Sequence, residues 1–443
     1  MGEVLVLGEH CKKIGSGATP KGGKEAYLEH GPFSLIRSQN VYNHGFEFGG
    51  LAYINEEQAE KLSNVVVESG DVLVNITGDS VARVCQVHKH ALPARVNQHV
   101  AIVRPNPKAI DPAFLRYWFV APSTQATLLG LASAGATRNA LTKSMLESLE
   151  VPRLELDTQR AIANVLAALD DKIELNRRTN EALEAMAQAI FKDWFVDFGP
   201  VRRKQAGETD PSAILGGLVP AGDQATQTAA LFPDAFGDNG LPEGWEERPV
   251  IDFSKKIQNG GTPKRSIDSY WLNGDIPWLT SGEVRQAIVL NAENHITQEG
   301  LNNSSAKLLP AGCILVALYG ATAGQVSFNA TPMTTNQAVC AITPMEQFQF
   351  YVLSSLRTAE SRFENSAVGS AQQNISKGIV ESLVILAPTK KLITTFNQLV
   401  EPFFELIVSN LEQNQTLAQT RDYLLPKLMS GEIRADNTES QVA

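Results

Sequence analysis

The chain has 443 residues, 43% of them hydrophobic and 19% charged, with a formal net charge of −10. That length exceeds what one core fills and predicts two or three domains, and the composition excludes a disordered or fibrous protein. The acidic balance excludes a protein that coats nucleic acid through a broad excess of Lys and Arg. It leaves room for DNA reading, since residues 10–150 hold 14 Lys plus Arg against 12 Asp plus Glu and six of the seven histidines.

The N-terminus carries Glu3 and a short apolar run, Val4 to Leu7, too brief for a signal peptide, and no stretch approaches the roughly 18 apolar residues of a membrane span. A cytoplasmic protein without a membrane anchor is expected. Cys11, Cys85, Cys313 and Cys340 lie far apart with no C-x-x-C pair, which predicts reduced packing residues rather than a zinc knuckle or a disulfide framework.

The first informative segment, Ile14-Gly15-Ser16-Gly17-Ala18-Thr19-Pro20-Lys21, returns 243 residues later as Ile257-Gln258-Asn259-Gly260-Gly261-Thr262-Pro263-Lys264. Long-period self-similarity of this kind sets the reading of the whole fold. Ser69 to Val74 matches Ala311 to Val316 at offset 242, Asn97-Gln98 matches Asn336-Gln337 at 239, and by Lys143 and Lys377 the offset has settled at 234. Shrinking offsets mark loop deletions, and the fixed offset beyond marks an element that tolerates none.

Within each copy, β-branched runs such as Val65-Val66-Val67 and Asp71 to Ile76, bounded by Gly70 and Gly78, predict strands. Pro112 to Leu131 and Gln347 to Phe363 predict helices, so each globular part is expected to be α+β. His88 and His90 at i, i+2 share a strand face, but with no Cys or carboxylate partner in sight they read as exposed histidines more readily than metal ligands.

The invariant-offset segment reads as a coiled-coil seam, with Ile162, Leu166, Leu169, Ile173, Asn176, Asn180, Leu183, Ala187, Ile190 and Trp194 spaced alternately four and three apart. Shifted by 234 these become Phe396, Val400, Phe403, Ile407, Asn410, Asn414, Leu417, Arg421, Leu424 and Leu428. The Asn pairs in mid-seam have the pattern of register pins, since buried Asn costs stability and fixes alignment. An antiparallel pairing about residue 178 sets Asn176 against Asn414, Asn180 against Asn410 and Ala187 against Phe403, with Leu169 against Arg421 as an imperfect fit.

The expected organisation is a first globular domain over 1–155, a central helix over 156–198, a loosely structured linker over 199–240, a second globular domain over 241–388, a distal helix over 389–433 and a disordered tail over 434–443. The linker reading rests on Gly, Pro, Ala and Thr with little periodicity.

Catalytic motifs are missing. Asn106-Pro107-Lys108 lacks the second proline and the aromatic residue with which amino-methyltransferases grip a base. Gly17 to Lys24 has one residue too many for a P-loop. Asp79 and Asp275 read as loop carboxylates rather than nuclease ligands.

Four further runs stand out: Gly260 to Pro263 with Tyr270-Trp271 and Gly274 to Trp278; Ile190 to Phe198; Leu231 to Asp234 through Gly244-Trp245; and Leu424 to Ile433. Together they resemble the specificity subunits of Type I restriction-modification enzymes. The first copy lacks the Tyr-Trp and Pro-Trp pairs. The resemblance implies two pseudo-symmetric target recognition domains separated by two long antiparallel coiled-coil helices, each domain reading half of a bipartite, asymmetric site in double-stranded DNA. It also implies a non-catalytic chain whose helices dock two methyltransferase subunits, with restriction subunits joining through them. S-adenosylmethionine, ATP and magnesium then belong to the partners, and no cofactor or metal to this chain.

Candidates for base or phosphate contact are polar loop residues at matching places in the repeat: Arg37, Ser38 and Asn40; Arg138 and Asn139; Ser281, Glu283 and Arg285; Gln372, Gln373 and Asn374. Each is equally readable as an ordinary loop residue, and Asn97-Gln98 with Asn336-Gln337 as holders of loop backbone. Two rival readings stand beside this one: a self-contained methyltransferase or nuclease, and a coiled-coil scaffold that binds no DNA. Sequence-selective duplex binding separates them.

Overall fold

The run after Gly70 forms a strand, Val72–Asn75, that is buried on both faces. Val72 and Val74 point one way, into a cluster with Phe114, Leu115 and Phe119. Leu73 points the other way, into a cluster with Leu35, Ile36, Val96 and Ile102. Side chains alternate along a strand, so an uninterrupted apolar run is what a strand sandwiched between two layers requires. The repeat mate does the same, with Ile314 and Val316 in one cluster and Leu315 and Ala317 in another.

A computed structural model describes residues 3–20, 22–134, 139–367 and 374–435. The α+β chain divides into a first unit of residues 1–174 and 414–443 and a second unit of residues 175–413. Each unit therefore draws on parts of both long helices, Leu156–Phe195 and Lys390–Ser430. Residues 436–443, most of the tail expected to be disordered, lie outside the described residues, while Ala435 is buried in the first unit's core.

In the first unit, Cys11–Ser16, Val100–Pro105, Val72–Asn75 and Val84–Gln86 form one antiparallel sheet. A second sheet runs in the order Ala52–Ile54, Phe33–Ile36, Ala94–Val96, Val66–Val67, its middle pair parallel. The second unit repeats this plan with a five-stranded sheet and a three-stranded one, in which Ile276–Leu279 again lies parallel to its neighbour, Thr334–Thr335. Pro112–Val120 starts as a helix because Asp111 accepts hydrogen bonds from the Ala113 and Phe114 amides and Pro112 needs no donor there.

The long helices pair antiparallel within each unit. In the second, Asn410 Nδ2 donates to Asn180 Oδ1 at 2.8 Å, Asn176 Nδ2 donates to Gln413 Oε1 at 2.7 Å, and Phe191 packs on Phe396. In the first, Ile162 and Leu166 share a cluster with Leu425 and Leu428. Ile162, Leu166, Asn176, Asn180, Ala187, Ile190, Trp194, Phe396, Val400, Ile407 and Asn410 are buried. Leu169, Ile173, Leu183, Phe403, Asn414, Leu417 and Leu424 are half-buried. Phe404 lies deeper than its seam neighbour Phe403, because it stacks on Phe350 with centroids 4.3 Å apart.

The awkward Arg421 is resolved by a residue one place along from Leu169. Asp170 takes Arg421 Nη1 at 2.8 Å, Arg116 Nη1 at 2.7 Å and the Tyr117 hydroxyl at 2.8 Å. Burial pushes the Asp170 carboxyl up, but Arg116 and the hydrogen bonds from Arg421, Tyr117 and Arg116 outweigh it and hold the group below the usual carboxylate range. The repeat mates of Arg116, Asp170 and Arg421 are Phe350, Phe404 and Ala187, so an aromatic stack in the second unit stands where the first has an ion network.

Residues 199–240 depart from the expected loose linker. They form helices Gly199–Gln205, Pro211–Ile214 and Asp223–Ala229. Val201, Leu215, Val219, Ala225 and Phe232 are buried in the second unit's core beside Trp194 and Trp245. Helices of four to seven residues are too short to display a 3.6-residue period, so composition alone read them as coil.

Candidate nucleic-acid interface

In the first unit, five loops meet at one end of the two sheets. The Gly17 amide donates to the Asn97 carbonyl, Asn97 N to Ile36 O, Ile76 N to His99 O, and Gly78 N to Asn139 O. Thr77 Oγ1 and His99 Nδ1 are hydrogen-bonded at 2.6 Å, and Asn75 Nδ2 reaches the Ser38 carbonyl at 2.8 Å. Residues 17–20, 37–40, 76–80, 97–99 and 139–140 thus form one surface. A β-carbon on Gly17 would fall 1.7 Å from the Val96 carbonyl oxygen, which is why glycine stands there.

The second unit builds the same surface from the repeat mates. Asn336 N donates to Leu279 O, Leu318 N to Ala338 O, and Ile375 N to Leu318 O as Leu141 N does to Ile76 O in the first unit, while Gly260, the mate of Gly17, donates to Val339 O and its neighbour Gly261 to Thr335 O. Thr322 Oγ1 donates to the Ser281 carbonyl at 2.9 Å, and Tyr319 bridges to Asn374 as Thr77 does to Ala140. Arg265 lies over the rings of Trp271 and Trp278 at 4.0 and 4.7 Å, and Trp278 Nε1 donates to the Gly261 carbonyl at 2.9 Å, so aromatic packing fixes the loop that carries Lys264 and Arg265.

Among the expected contact residues, Arg37, Ser38, Asn139, Ser281, Arg285 and Asn374 lie on these surfaces, with Arg285, Asn139 and Asn374 exposed. Arg37 is tied down on one side, its Nη2 donating to the Gly50 carbonyl and its guanidinium over Tyr27 at 5.0 Å. Arg138, Gln372 and Gln373 lie outside the described residues.

Two expected contacts are overturned. Asn40 is fully buried, its Oδ1 accepting from Arg37 N and its Nδ2 donating to the carbonyls of Glu47 and Gly49. Its repeat mate Glu283 is also buried, its carboxylate accepting from Thr280 N, Thr280 Oγ1 and Glu293 N. Both close the turn that follows a strand and hold a loop from within, so neither reaches a base. Polarity in a loop is the same signal whether the side chain points out or back at its own backbone.

Among the described residues no group of His, Cys, Asp and Glu forms a metal site, and no helix is long and apolar enough to cross a membrane. A model of the Type I restriction-modification DNA specificity domain matches residues 3–185 and 242–400, once per repeat. The chain belongs to that family.

Similarity to whole specificity subunits spans almost the full length. The chain is 28% identical over 439 residues to the HindI specificity subunit of Haemophilus influenzae, covering 90% of this chain and 94% of that one. It is 25% identical over 430 residues to the MjaIX specificity subunit of Methanocaldococcus jannaschii, covering 96% and 92%. The crystal structure of a Type I S subunit from M. genitalium shares the fold at a TM-score of 0.58 and 14% identity, covering 97% of this chain and 96% of that one.

Sequence reasoning left out one feature of this specificity-family surface. Thr19 Oγ1 donates to Gln98 Oε1, and Thr262 Oγ1 donates to Gln337 Oε1 at 2.5 Å. The neighbouring asparagines do hold backbone, Asn97 Oδ1 accepting from His99 N and Asn336 Oδ1 from Ala338 N. The glutamines are exposed. Recurrence of Thr-Pro and Asn-Gln in both copies was the available signal, but only folding shows that they meet.

Proposed function

We propose that this chain is the DNA-reading, non-catalytic subunit of a Type I restriction-modification complex, and that each of its two loop surfaces takes one half of a bipartite target. The observation that carries this is the duplication itself: one loop cluster is built twice, on the same hydrogen-bond plan, from polar residues that differ. Arg37, Ser38 and Asn139 occupy the first; Ser281, Arg285 and Asn374 the second. Different side chains on a common frame read different bases, so the target is asymmetric. One bidentate base contact discriminates by only about 1–3 kcal/mol, and linking two readers makes the second binding step intramolecular. Half-sites about one turn, roughly 10 base pairs, apart suit two readers on one face of a duplex.

The helices dock two methyltransferase subunits, which bring S-adenosylmethionine; restriction subunits bring ATP and magnesium, and this chain binds none of them itself. The complex acts in the cytoplasm, where its DNA is. The test is binding of the chain, with its methyltransferase partner, to a randomised duplex library. Enrichment of a two-part motif is expected; unselective binding overturns the reading.

A further inference from the structure

We propose that Gln98 and Gln337 are phosphate anchors, paired amides that set each recognition domain at a fixed height and register on the DNA backbone without reading sequence. This rests on the DNA-binding role above and adds the group contacted. Both side chains are exposed on the loop surfaces. Both have the amide oxygen occupied by a threonine hydroxyl, Thr19 in one unit and Thr262 in the other. That leaves the amide nitrogen as the outward group, and an N–H donor fits a phosphate oxygen. Gln337 Nε2 has no partner among the described residues. Gln98 Nε2 spends one hydrogen on His99 Nε2 at 2.9 Å and has a second to give.

Two further observations separate a phosphate from a base edge. The clamp is the same in both units, whereas the half-sites read by different loops differ, so it suits what every half-site shares. Phosphate contacts position a protein and base contacts specify. In the second copy the exposed Lys264 stands two places after the clamping threonine, and Arg265 beside it is held over two tryptophan rings. Cations on the same loop as the clamping threonine suit an anion.

The test uses the full chain with its methyltransferase partner and a duplex carrying its target. Gln337→Glu keeps an oxygen for the Thr262 hydroxyl, so the turn stays closed, but sets a negative charge where the donor stood. Expected are a melting temperature close to that of the unaltered chain, a tenfold or greater loss of affinity at low salt that narrows as salt rises, and an unchanged target motif. Gln98→Glu gives the same result in the other domain, and Gln→Ala at either position gives a smaller loss, uniform across sequences. Full affinity in the Glu variants overturns the proposal. So does a motif relaxed at one base position, which makes the glutamine a base reader. If the unaltered chain shows no selective binding, the DNA-reading role itself fails, which is a separate result.

Discussion

Asn410 donates its Nδ2 hydrogen to Asn180 Oδ1 at 2.8 Å within the apolar seam of the second unit. Both residues are buried; the Asn410 amide depends on Asn180, whose own Nδ2 reaches the Ile407 carbonyl at 3.5 Å. Asn180→Leu strands the Asn410 amide and is expected to lower stability by about 1–3 kcal/mol, the cost of an unsatisfied buried polar group. The double variant Asn180→Leu/Asn410→Leu regains most of that loss, because two apolar groups replace two paired polar ones. Urea melts of both variants check this, and a double variant weaker than the single one contradicts it.

The Arg116–Asp170–Arg421 network predicts a steeper cost. Asp170→Ala leaves two guanidinium groups without their shared carboxylate, and breaking a buried pair in this way costs about 3–5 kcal/mol. The pH dependence has a definite sign. Asp170 titrates below its unfolded value of about 3.9, so its stabilisation is present above that pH and lost as pH falls through the folded value. Asp170→Asn therefore flattens the acid limb of the stability curve, and an unaltered limb measured by denaturant melts from pH 3 to 7 excludes this assignment.

Asn40 and Arg285 separate scaffold from surface. Asn40→Ala removes three buried hydrogen bonds and is expected to lower the melting temperature by several degrees and to loosen the 45–50 loop. Arg285→Ala, at an exposed side chain, leaves melting unchanged and weakens or relaxes one half-site only. Calorimetry alongside duplex binding distinguishes them, and a stable Asn40→Ala variant with altered specificity reverses the assignment.

Burial pushes the thiols of Cys85 and Cys340 up to about 12. Thiolate is the reactive form, so a thiol reagent at pH 8 should label neither in the native chain and both in denaturant. Rapid native labelling of Cys85 means that the first unit opens more readily than its packing implies.

Much of this architecture is legible in the chain. Strands buried on both faces appear as unbroken apolar runs, and the seam appears as heptads repeated at a fixed offset, because both are periodic signals. The short helices after Phe198 escape notice for want of length to show a period. Asn40 and Glu283 mislead for another reason: a turn-closing side chain and a ligand-facing one share the same residue types. The Thr–Gln clamps need a contact across 79 and 75 residues, which no local pattern encodes. The swap of an ion network for stacked Phe350 and Phe404 shows that pseudo-symmetric positions keep their place while their chemistry diverges.

The most direct measurement is to co-express the chain with its methyltransferase partner in a methylation-free host and map modified adenines across the genome. A split, asymmetric motif that vanishes without this chain, and loses one half when the first loop surface alone is altered, is the predicted result. Methylation that persists without the chain, or a single continuous motif, contradicts the account of two linked readers.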